Sequence, residues 1–209
     1  MLPPDPETMR RSLVAHETPP PAFRAALASL PFTERDAWLD RVLGLEDLPA
    51  DTPDLPRGCV PYLPCSADTL MRMVDLAEVK STDTLIDIGS GLGRAMWIAH
   101  FLTGARAIGV EIQPALAHAS RALIARLNAD RLSVIEGDAA AETASLTTGT
   151  VFFLYCPFSG PRLDAWLTAL EPLARARPLR ICTVDLPLPE RPWLTRTAIS
   201  ADLEVYRTC

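Results

Sequence analysis

Between residues 84 and 186 five apolar runs, TLIDI, RAIGVE, RLSVIEG, TVFFLY and LRICTVDL, are separated by stretches with helical spacing. Runs that stay apolar at successive positions belong to strands covered on both faces. Parallel strands need long crossover connections, and helices supply them. Repetition of that unit leads to a doubly wound α/β sandwich. The pattern predicts strands at 84–88, 106–111, 131–137, 150–155 and 179–186. Helices are predicted at 93–102, 114–127 and 161–176, with a shorter one around 140–146. After DLPLPERP the alternation stops, and WLTRTAIS and ADLEVYRTC stand back to back across a short turn. That pairing predicts an antiparallel hairpin closing the edge of the sheet.

The region before the first strand is built differently. Prolines from Pro3 to Pro56 punctuate it, and three short helical patterns lie near 6–16, 20–30 and 33–44. In the third, Ala37, Trp38, Arg41 and Val42 mix apolar and charged positions as a surface helix does. Residues 1–58 read as a helical cap or arm, joined through LPADTPDLPRG to a ligand-binding domain over 59–209. Ser66 can cap a further helix carrying Leu70, Met73, Val74 and Ala77.

The loop after the first strand is Gly89-Ser90-Gly91-Leu92-Gly93. Glycine-rich turns at this position hold phosphates or adenosine ligands. A dinucleotide fingerprint spaces its glycines GxGxxG, but here the third glycine comes one residue early and Arg94 stands where the last would be. No Gly-Lys-Ser/Thr follows, which excludes a P-loop. Asp87 lies two residues before the first glycine. A carboxylate there repels a pyrophosphate and suits a ligand carrying an ammonium and a sulfonium. Glu111 ends the second strand, where an acid can accept ribose hydroxyls. Asp138, in EGDA after the third strand, stands where a carboxylate could accept an adenine amino proton. Plain structural roles remain open for both, a helix-start charge for Glu111 and a turn residue for Asp138.

Taken together, LIDIGSGLGR, GVEI and EGDA resemble the three cofactor motifs of class I, seven-β-strand S-adenosylmethionine-dependent methyltransferases. The resemblance implies a Rossmann-like, mostly parallel seven-stranded sheet with a C-terminal antiparallel hairpin. It implies S-adenosylmethionine as cofactor, held by Asp87, Gly89, Ser90, Gly91, Gly93, Glu111, Ile112, Asp138 and Ala139. CVPYLP, with Tyr62, and the proline-rich VDLPLPERPW are similar to lysine methyltransferases of the ATP synthase c-subunit type and their prokaryotic relatives. The non-SET histone-lysine methyltransferases share the DxGSGxG and GVE patterns. In this comparison Tyr62 would cover the methionyl end of the cofactor or hold the connecting loop.

The acceptor pocket is expected at the end of the fourth strand, from Tyr155, Cys156, Pro157 and Phe158. Pro157 and Phe158 resemble the end of the Asn/Asp-Pro-Pro-Tyr/Phe motif of N-methyltransferases, but Cys156 stands where a polar residue would orient the nitrogen. Cys156 reads equally as a small buried hydrophobe. The departure argues against nucleic-acid amines, as do a net charge of −6 and a pI near 5.1. The expected partner is therefore a protein lysine or another amine. A small metabolite under a lid formed by residues 1–58, or a non-catalytic cofactor-binding subunit, are the alternatives. No leader pattern and no apolar run of about 20 residues occurs, which points to the cytoplasm. Five scattered cysteines and three histidines without ligand spacing suggest neither a disulfide framework nor a metal site.

Overall fold

The computed structural model describes residues 4–45 and 49–208. Pro3, Leu48 and Cys209, assigned from sequence to the arm, the linker and the last strand, lie outside the described residues. Three helices come first: α1 (Pro6–Val14), α2 (Pro20–Ala28) and α3 (Arg35–Leu43), the last entered through a turn of 3₁₀ helix. α4 (Ala67–Leu76) follows, with Ser66 accepting from the Thr69 N–H at its start. Strand and helix then alternate: β1 (Thr84–Ile88), α5 (Arg94–Thr103), β2 (Arg106–Glu111), α6 (Pro114–Arg126), β3 (Leu132–Glu136) and α7 (Ala139–Glu142). β4 (Val151–Tyr155), α8 (Pro161–Ala176) and β5 (Arg180–Val184) lead to the hairpin of β6 (Leu194–Ser200) and β7 (Leu203–Thr208).

All seven strands join one sheet in the order β3-β2-β1-β4-β5-β7-β6. β1 to β5 are parallel, and β7 pairs antiparallel with both β5 and β6. Because the chain winds outward from β1 to β3 and then returns to β4, the carboxyl ends of β1 and β4 flank the crevice where such sheets bind ligands. β1 is buried at every position, as a central strand covered by helices on both faces must be.

Two apolar cores lie on the two faces of the sheet. α7 and α8 cover one through Ala139, Leu163, Trp166, Leu167 and Leu170. α4, α5 and α6 cover the other, and the same core continues without a break into α1, α2 and α3. Phe23 of α2 packs at a tilt against Phe101 of α5, 4.8 Å between ring centres, and against Trp38 at 5.9 Å. In α3, Trp38, Leu39, Val42 and Leu43 are buried while Ala37 and Arg41 stay exposed, so the helix lies at the surface with its apolar face turned inward. Its spacing of Leu39, Val42 and Leu43 was readable as a stripe, but the polar Arg41 and Asp36 obscured it. Among the described residues no helix is long and apolar enough to cross a membrane.

Candidate functional site

β1 carries Asp87 into the interior, where it is 4% exposed. The loop that follows leans toward β2: the N–H groups of Gly89 and Ser90 both donate to the Val110 carbonyl, at 2.9 and 3.1 Å. Gly89 and Gly91 have φ of +72° and +52°, which glycine adopts without steric cost. Both are also overlaid by other chain segments. A Cβ on Gly89 would strike Pro157, and one on Gly91 would enter the ring of Tyr62. Ser90 packs its side chain over Gly109 of β2, and its buried hydroxyl has no partner among the described residues.

Glu111, at the end of β2, is tied back to this loop. One carboxylate oxygen accepts from the Gly91 N–H at 2.7 Å and the other from the Gln113 N–H at 2.8 Å. Burial raises its pKa, while the N–H groups of Gln113, Gly91 and Ile112 act in the opposite direction. No hydrogen bond or ion pair reaches the carboxylate of Asp87 among the described residues. Burial first, and then the neighbouring Glu111, push its pKa up to about 8.

Asp138 has a different setting. It caps α7 by accepting from the Ala140 N–H at 2.9 Å, and its second oxygen pairs with Arg162 of α8 at 2.5 Å. Burial alone would raise its pKa, but Arg162 and the Ala140 N–H hold it below the usual carboxylate value. Arg162 also donates to the Arg57 carbonyl at 3.2 Å, linking α8 to the segment before β1. Nothing in the local sequence marked this arginine, because its partners lie 24 and 105 residues away.

The segment 58–65 crosses the site as a strap. Cys59 bridges antiparallel to Phe158, and the Val60 N–H donates to the Pro157 carbonyl at 3.1 Å. Asp51 anchors it further, accepting from the Tyr62 N–H and from the Gln113 side chain, both at 2.8 Å. Beneath lies a cleft that brings together Tyr62, Gly89, Glu111, Ile112, Ala139 and the stretch from Tyr155 to Phe158. A smaller cavity adjoins it, sharing Tyr62, Gly89 and Tyr155 and adding Asp87, Ser90, Cys65 and Arg94. Gly91 and Gly93 shape the loop without lining either cavity, and Asp138 sits in a shallow neighbouring hollow with Arg162.

At the acceptor end, Cys156 has φ of +42°, a left-handed conformation unusual for a residue with a Cβ. Burial, and secondarily Asp185, raise the pKa of its thiol, the opposite of what a nucleophilic cysteine needs. Burial also raises the pKa of the Tyr155 phenol, followed by the influence of Cys65, Asp185 and Asp202. Neither group is a base near neutral pH.

The sequence profile of the Protein-L-isoaspartate(D-aspartate) O-methyltransferase family matches residues 63–145. Over 76 residues the chain is 38% identical to Ribosomal RNA small subunit methyltransferase A of Streptomyces griseus, a match covering 35% of this chain. The matched part spans only about a quarter (26%) of that relative's length. Among solved structures, the RNA methyltransferase from Salinibacter ruber in complex with S-adenosyl-L-homocysteine is 28% identical, with a TM-score of 0.52. The match covers 70% of this chain and 92% of that one. Cofactor-bound Rv0187 from MTB shares the fold with a TM-score of 0.57 at 20% identity, covering 90% of this chain and 96% of its own.

Proposed function

The chain is a class I S-adenosylmethionine-dependent methyltransferase, and we propose that it delivers the methyl group to an amine, with a protein lysine as the foremost acceptor. The observation that carries the cofactor site is Asp87, a buried carboxylate facing a cavity with no donor of its own. Such a group is costly to keep in the interior, and a cationic ligand group offsets the cost. In this reading Asp87 receives the ammonium of the methionyl end and Glu111 the ribose hydroxyls. Ile112 and Ala139 flank the adenine, and Asp138 borders it, its carboxylate already engaged by Arg162. Tyr62 closes the strap over the glycine loop.

Bound S-adenosylmethionine supplies a methyl group activated by its sulfonium. The protein's part is alignment and exclusion of water, and Tyr155, Pro157 and Phe158 form the wall against which an acceptor would be held in line. Asp185, exposed beyond the end of β5, and Asp202 both influence Tyr155. Their negative charge favours a basic acceptor over a phosphate backbone. With Tyr155 and Cys156 both protonated near neutral pH, the amine would have to enter the reaction as its free base.

Calorimetry with S-adenosylhomocysteine and with NAD tests the cofactor site. Binding of the former alone, lost in Asp87→Ala, is expected; failure to bind, or unchanged binding in that variant, overturns the reading. Transfer of labelled methyl groups to protein, RNA and metabolite fractions tests the acceptor. The roof made by Asp51, Gln113 and Tyr62 over the cleft favours a small metabolite as the second reading. RNA is the acceptor that the names of the RNA methyltransferase relatives bring to the same screen.

A further inference from the structure

Arg94 is the first residue of α5, at the positive end of a helix, where a cation gains nothing from the backbone dipole. It is nevertheless buried, at 5% exposure, and lines the smaller cavity together with Asp87. Two of its nitrogens are held by α3: Asp36 at 2.5 Å and Asp40 at 2.9 Å. Its Nε is buried and has no hydrogen-bond partner among the described residues. Asp36 is itself fixed, because the same oxygen accepts from the Ala67 N–H at 2.8 Å, where α4 begins. Arg94 and Asp87 face one cavity and do not pair with each other. A buried donor and a buried acceptor left open on residues lining one cavity match a ligand that presents both charges, an α-amino acid zwitterion.

We propose that Arg94 receives the methionyl carboxylate of the cofactor, and that Asp36 and Asp40 are positioning residues that keep its guanidinium from collapsing onto Asp87. The proposal rests on the methyltransferase reading above. It makes the N-terminal helices part of cofactor recognition, since the two acids of α3 hold the guanidinium that lines the cavity.

The test uses the full-length protein and two ligands, S-adenosylhomocysteine and its decarboxylated analogue, which keeps the adenosine and the ammonium. Calorimetry on the wild type is expected to show a preference of ~10- to 100-fold for the carboxylate-bearing ligand, the range for losing one charge-assisted hydrogen bond in a buried site. Arg94→Met should weaken S-adenosylhomocysteine by a similar factor and leave the analogue unchanged, with partial recovery in Arg94→Lys. Asp40→Asn should narrow the preference. Equal wild-type affinity for the two ligands overturns the proposal, and so does an equal loss of both in Arg94→Met, which marks a merely structural arginine. If the wild type binds neither ligand, the cofactor reading falls, and this proposal with it.

Discussion

Asp87 gives the site both its energetic weak point and its pH dependence. An unfolded aspartate titrates near 3.8, whereas burial and then Glu111 hold this one near 8. Over that interval the folded protein keeps a proton that the unfolded chain has released. The group's contribution to stability is therefore full below about 3.8 and is lost as pH rises through about 8. Asp87→Asn is expected to raise the melting temperature of the ligand-free protein by a few degrees at about pH 9, with little change at about pH 4. Pairing with an ammonium requires the ionised carboxylate, so binding expels a proton below pH 8 or so. Affinity for S-adenosylhomocysteine should climb with pH by up to about tenfold per unit and level off near 8, and Asp87→Asn should flatten that slope. The groups around Asp87 are Glu111 from β2, Tyr62 and Cys65 from the strap and Arg94 from α5. Burial raises the pKa values of Glu111, Tyr62 and Cys65.

Two elements beyond the sheet shape the site: the strap 58–65 and helix α3. The ring of Tyr62 occupies the space a side chain at position 91 would need, so strap and glycine loop fit each other only through the absence of a Cβ. Tyr62→Ala is expected to speed dissociation of S-adenosylhomocysteine about tenfold with the fold intact, as stopped-flow fluorescence can measure. Gly91→Ala should damage both binding and stability, because it strains a left-handed residue as well as displacing the ring. α3 contributes through packing. Leu39 is fully buried within the core shared by α2, α4 and α5, and Leu39→Ala is expected to cost about 2–5 kcal/mol in urea denaturation.

For the molecule as a whole, the continuity of one core from α1 through α6 bears on the role of the N-terminal region. A cap that merely covers the acceptor can be removed with the cofactor site left working. Removing residues 1–58 here would expose the α5 side chains Trp97 and Phe101 and release the acids that hold Arg94. We expect such a truncation to lose cofactor binding and to aggregate, whereas soluble protein with native affinity would restore the lid reading. The acidic balance predicts the partner at the same scale. Methylation of a lysine peptide should speed up as pH rises toward the pKa of the amine, about 10, because neither Tyr155 nor Cys156 deprotonates it. A bell-shaped profile centred near neutral pH would reveal a base that Tyr155 and Cys156 do not supply.

What the sequence determined by itself was local in origin. Continuous apolar runs, apolar spacing near 3.6, glycines at a strand end and an acid two residues before them act over a few neighbours, so the order of strands and helices, the final hairpin and the clustering of Asp87 and Glu111 at the strand ends could all be read from it. The antiparallel β6–β7 pairing could be inferred because two strand segments joined by a short turn leave no parallel alternative, whereas the insertion of β7 between β5 and β6 could not. Tertiary structure alone decided the rest. Arg94 meets Asp36 across 58 residues, and Arg162 meets Asp138 across 24. Neither pair has a spacing that a helix or strand would repeat. The same holds for the burial of α3's apolar face, for Tyr62 over Gly91 and for the left-handed turn at Cys156. Each depends on which surfaces the sheet brings together, and a charge or a ring acquires its partner only once the chain between has been packed away.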